Sequence, residues 1–74
     1  FMQKYKDKDN DSGIVAYEIG DDYIRVEYES GDIFTYNYEK AGKQRVEKMK
    51  ELAKKGDGLN AYINKYIIPI YKED

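Results

Sequence analysis

The sequence predicts an α+β domain: a three-stranded antiparallel meander followed by two helices packed on one face. Between Ile14 and Tyr38 three runs alternate apolar and polar residues, split by Gly20-Asp21-Asp22 and by Ser30-Gly31, the composition of strands and tight turns. After Gly42 the period changes, and Val46, Met49, Leu52 and Ala53 recur at helical spacing. The chain has 74 residues and no cysteine, so one modest core must be held by packing, with nine tyrosines and two phenylalanines as its largest contributors.

Taken in order, residues 1–12 form a polar, acidic arm expected to be loose or extended. Ile14 to Ile19 is the first strand, Tyr23 to Glu29 the second and Asp32 to Glu39 the third. A helix of three turns starts at Lys43 and is stopped by Gly56 in the C′ position. Asp57 is the expected cap of a second, shorter helix, whose Leu59, Tyr62, Ile63 and Tyr66 fall at i, i+3, i+4 and i+7 before Pro69 prevents continuation. The segment from Ile67 to Tyr71 is too apolar to float free and should pack on the body. A single domain then spans 13–71, with 72–74 as a tail.

The direction in which the third strand faces depends on the second hairpin loop. With Ser30-Gly31 as a two-residue turn, Arg25 lies opposite Tyr36 and Tyr23 opposite Tyr38, leaving aromatic rings beside a cation. With Glu29-Ser30-Gly31 as a three-residue loop, Val26 lies opposite Phe34 and Ile24 opposite Tyr36. Glycine suits the left-handed third place of the longer loop, and serine is a poor first residue of a primed two-residue turn, so the longer loop is favoured. Val15, Tyr17, Ile19, Ile24, Val26, Phe34, Tyr36 and Tyr38 then converge under the first helix. Glu18, Arg25, Glu27, Thr35 and Asn37 occupy the open face.

Charge is unevenly distributed. Residues 1–39 carry four basic and ten acidic side chains, a balance of −6, whereas residues 40–55 carry seven basic and two acidic ones, a balance of +5. A solvated helix surface accounts for this, and so does a phosphate-facing patch in which Lys43, Lys50 and Lys54 share one flank. Arg25 joins them as a nucleic-acid candidate, since single strands are held by cations beside exposed rings. No run reaches membrane-spanning length, and the charged opening lacks the apolar core of a secretory signal, so a cytoplasmic protein is expected. Phe1 reads as an addition ahead of a natural start at Met2.

Catalysis has little to stand on. Histidine and cysteine are absent, Ser12, Ser30 and Thr35 have no plausible base beside them, and Asp21, Asp22 and Asp57 suit turns and caps. Asp7, Asp9, Asp11, Ile14 and Glu18 match five places of a calcium loop, but Ser12 stands where the sharp bend needs glycine. No metal, other cofactor or enzymatic activity is expected.

Ser12-Gly13-Ile14, Tyr17-Glu18, Ile24-Arg25-Val26-Glu27-Tyr28, the Gly31 turn and Phe34-Thr35-Tyr36-Asn37-Tyr38 together resemble the KTSC domain, a small module marked by a central Tyr-x-Tyr. It is named for its place at the C-terminus of some lysyl-tRNA synthetases and also occurs as free-standing small bacterial proteins. The likeness covers about sixty residues, a domain's length. Tyr62-Ile63-Asn64 with Ile67 is similar to a later aromatic-hydrophobic-Asn stretch, although Gly56-Asp57-Gly58 stands two residues further away than usual. Glu39-Lys40-Ala41-Gly42 replaces the usual proline-containing link. The resemblance implies an RNA association through the synthetases and assigns no reaction. Two readings follow: an RNA-binding module using the basic helix, and a protein-interaction module using the apolar C-terminal segment or an exposed sheet edge.

Overall fold

The computed structural model describes residues 2–7 and 13–72. Four antiparallel strands, β1 (Gln3–Lys4), β2 (Ile14–Ile19), β3 (Tyr23–Tyr28) and β4 (Ile33–Asn37), form one sheet in sequence order. Helices α1 (Tyr38–Ala41), α2 (Lys43–Lys55) and α3 (Leu59–Tyr62) follow, then a π-helical turn (Ile63–Ile67) and α4 (Ile68–Lys72). The α+β class and the meander are as expected, with one strand more.

The extra strand comes from the arm. Gln3 lies opposite Tyr17 and Lys4 opposite Ala16, and the Tyr5 N–H donates to the Val15 carbonyl at 3.0 Å. Tyr5 is then buried in the core, and its hydroxyl accepts the Leu59 N–H at 3.3 Å. That bond satisfies one of the donors that every helix start leaves open. It also corrects the expectation for Asp57, which does not cap α3: Gly58 holds the cap position, and no side chain of its own serves there. The arm therefore has an anchored part at residues 2–7. Residues 8–12, and with them Asp9, Asp11 and Ser12 of the calcium-like pattern, lie outside the described residues.

The three-residue loop is the one formed. Val26 is opposite Phe34 and Ile24 opposite Tyr36. Tyr28 donates to the Asp32 carbonyl at 2.9 Å, Gly31 donates back to Tyr28 at 2.9 Å, and Gly31 has φ 94°, a conformation that side chains with a Cβ rarely adopt. Ile24, Val26, Tyr17 and Tyr36 are buried against Val46, Met49 and Ala53 of α2. Each such side chain contributes about 1.5–3 kcal/mol by leaving water.

Several expected inward positions differ. The pairing shifts between Ile14 (opposite Tyr28) and Ala16 (opposite Glu27), a bulge that turns Ile14 into the core and leaves Val15 exposed. Phe34 is 48% exposed, lining an open groove between the sheet and the C-terminal helices. Tyr38 is not a strand residue: β4 ends at Asn37, whose side chain accepts the Lys40 N–H at 2.8 Å and caps α1.

The C-terminal helical stretch continues through Pro69, contrary to the expected stop. The π turn closes with the Ile68 N–H bonded to the Ile63 carbonyl, and Pro69 follows it as the second residue of α4. The buried residues are Leu59, Ile63 and Ile67, while Tyr62 and Tyr66 stack on each other at 4.8 Å further out. Four-residue steps overshoot an α-helical turn by about 40° each. The wider π turn offsets that drift and keeps the three on one side. Ile67 and Ile68 of the apolar segment pack on the body as expected.

Candidate functional site

The strands and helices first decide what becomes of the sequence-predicted cations. Lys43 and Lys54 are exposed near the two ends of α2. Lys50, between them, is only 8% exposed. Its Nζ bonds Glu47 Oε2 at 2.8 Å and donates to the Asp21 carbonyl at 3.0 Å, tying α2 to the first hairpin. Burial alone would pull the Lys50 ammonium down, but the Glu47 carboxylate outweighs it and holds it above its ordinary value. Glu47 in turn is held below the usual carboxylate range, first by the Lys50 hydrogen bond and then by the Tyr38 hydroxyl, with Lys43 adding its charge. The Tyr38 phenol donates to Glu47 Oε2 at 2.5 Å and is raised by that bond. A carboxylate thus stands in the middle of the basic flank.

Arg25 is committed as well. It lies on the open face of β3, 3.6 Å from Glu18 Oε2, donates through Nε to Thr35 Oγ1 at 3.2 Å and covers the Tyr23 ring at 5.4 Å. Tyr23 donates to the same Glu18 carboxylate at 2.8 Å, which holds Glu18 down and Tyr23 up. Tyr36, the first ring of the Tyr-x-Tyr motif, is 4% exposed and belongs to the core. Tyr38 sits half-buried at the start of α1. Of the three rings grouped with Arg25 in the shorter-loop register, Tyr23 stands beside it, whereas Tyr36 is in the core and Tyr38 turns to Glu47.

What the fold does assemble is an edge and a groove. Among the described residues β4 ends the sheet. Tyr28 and Asp32 exchange a ladder bond, and so do Asp22 and Tyr38. By alternation, the N–H and C=O groups of Phe34 and Tyr36 face β3, and those of Ile33 and Thr35 face outward. Ile33 is 51% exposed on the open face. On the helix-covered face a groove of about 460 Å³ runs between the sheet and the C-terminal helices, lined by Tyr28, Phe34 and Tyr36 on one side and by Asn60, Asn64 and Ile68 on the other, with Ser30 and Asp32 at the hairpin end. Tyr28 and Phe34 meet edge to face, 5.8 Å apart. Burial pushes the Tyr28 phenol up, partly offset by a hydrogen bond with Tyr36. No lysine or arginine lines this groove.

Sequence reasoning missed Tyr28, Asn60, Asn64 and Ile68. A signal existed for the last three, which recur at i, i+4 and i+8 beside the buried stripe, yet nothing in the sequence says that β4 would lie opposite them. Comparison with known proteins finds no matching family model, no matching curated protein and no matching solved structure.

Proposed function

We propose that this chain is a non-enzymatic protein-interaction module that takes an extended segment of a partner along the outer edge of β4. The observation that carries the reading is an uncharged five-residue edge strand, Ile33-Phe34-Thr35-Tyr36-Asn37, whose first two side chains are half exposed and whose outward backbone groups face no other strand among the described residues. Main-chain pairing supplies affinity in such strand addition, and alternate side chains supply selectivity. Thr35→Pro tests it, because that substitution deletes an outward N–H and leaves the β3 ladder intact. Linear peptides selected on the wild-type protein should bind Thr35→Pro at least tenfold more weakly, and their binding should slow amide exchange at Ile33 and Thr35. Equal affinity for both proteins would exclude the edge.

The RNA-binding reading draws on the KTSC resemblance and on the exposed Lys43 and Lys54. It is weakened by the internal commitments of Lys50 and Arg25. A single-stranded RNA titration at low salt, repeated with Lys43 and Lys54 changed to glutamate, decides it: unchanged affinity removes this reading.

A further inference from the structure

Building on the strand-addition reading, we propose that the groove between β4 and the α3–α4 stretch receives a large apolar side chain from an extended, basic segment of a partner. A strand laid beside β4 alternates its side chains between the two faces. Those on the helix side come to about 4.5–5.5 Å from Phe34 and Tyr36, at the mouth of the groove.

The lining selects what enters. Three aromatic rings and Ile68 provide apolar contact, and the Asn60 and Asn64 amides stand along the opposite wall. Asp32 is the one charged residue of the lining, and the Ser30 hydroxyl donates to it at 2.9 Å. A phosphate or carboxylate would meet this carboxylate with no cation in the groove to offset it. A volume of about 460 Å³ lies in the range that takes a buried ligand group.

Charge on the other side of the added strand points the same way. Its outward side chains would lie beside Ile33 and Thr35, with Glu27 paired across Ile33 and Glu29 in the adjoining hairpin. Of the cations on that face, Arg25 on β3 is held by Glu18 and Thr35, and Lys4 lies on β1, at the far margin of the sheet. Lysine or arginine at alternate positions of the partner complements these carboxylates. A second copy of this chain fits less well, since its own β4 carries no cation and would bring the same acidic surroundings.

The probe is a labelled, end-blocked peptide, Lys-Val-Lys-Phe-Lys-Val-Lys, followed by anisotropy at low salt. Beside it run a peptide with alanine in place of phenylalanine and one with glutamate in place of every lysine. They are titrated into the wild-type protein, Thr35→Pro, and two groove-filling variants at exposed positions, Asn64→Phe and Ser30→Trp, each checked for folding by circular dichroism. The expected result is wild-type binding of the phenylalanine peptide, weakened about tenfold or more by the alanine change and by either filler, and no binding of the glutamate peptide. Equal binding of the alanine peptide, or fillers without effect while Thr35→Pro abolishes binding, overturns the groove assignment and leaves the edge standing. Undiminished binding to Thr35→Pro instead removes the edge itself. Preference for the glutamate peptide, no binding of the basic one, or a dimer that Thr35→Pro dissociates, overturns the choice of a basic partner.

Discussion

The two edges of the sheet are built in opposite ways. β1 is a two-residue strand of exposed polar side chains, Gln3 and Lys4, which gives an approaching chain little to pair with and a charge to desolvate. β4 is longer, carries no charge and no proline, and shows Ile33 and Phe34 to solvent. Edges of the first kind resist unwanted pairing, and edges of the second kind invite it. A protein that guards one margin of its sheet and leaves the other apolar and open has a margin suited to a partner.

Several measurements sharpen or break that contrast. The largest effect should come from the guarded edge. Tyr5→Ala empties a core position and strips the Leu59 N–H of its acceptor, and urea denaturation should show a loss of about 3–5 kcal/mol. A loss well under 1 kcal/mol would mean that the β1 margin is not an integral part of the fold. Gly56→Ala comes next. Gly56 has φ 78°, and an added Cβ would meet Lys6 Cβ at 2.6 Å, so the junction of arm and helix should lose about 1–3 kcal/mol. Tyr5→Phe keeps the ring and removes only the hydroxyl, at a cost of about 1–3 kcal/mol for the orphaned N–H.

The Tyr38–Glu47–Lys50 cluster sets a pH dependence. The lowered Glu47 contributes stability that is present above its unfolded value and is lost as pH falls below about 4.5. The raised Tyr38 and Lys50 contribute stability that is present below their unfolded values of 10.0 and 10.5 and is lost as pH rises past them. Tyr38→Phe should therefore flatten the alkaline limb of a stability profile and weaken the acid limb, a smaller change than those at Tyr5. Smallest of all, Ile33→Lys at the open edge should shift stability by less than about 0.5 kcal/mol. The same change should abolish strand addition, a pairing of outcomes that a merely structural β4 would not show.

Local chemistry made much of the fold readable. Glycine at position 31 selects the longer hairpin loop, and that choice alone puts Ile24 and Val26 on the face that Val46, Met49 and Ala53 cover. The change of period at Gly42 and the stop at Gly56 mark α2 correctly. The bulge at Val15 was not readable, because an alternating pattern carries no mark of the one residue that is slipped. Nor was the start of α1 at Tyr38, where a strand pattern runs on for two residues after Asn37 has capped a helix. Of the candidate site, the exposed β4 edge could be foreseen as a consequence of a small open sheet. The groove could not, since Asn60, Asn64 and Ile68 meet Phe34 only through packing.

By itself the sequence determined the class, the order of strands β2 to β4, the register of β3 on β4, the span of α2 and the acidic and basic halves, because turns, periodicity and charge are properties of neighbouring residues. The tertiary structure alone decided that the arm adds a strand, that Lys50 and Arg25 spend their charge within the fold, and that Phe34 stands open above a groove. Each of these depends on which groups meet across the chain, and a side chain's partners are set by packing at a distance.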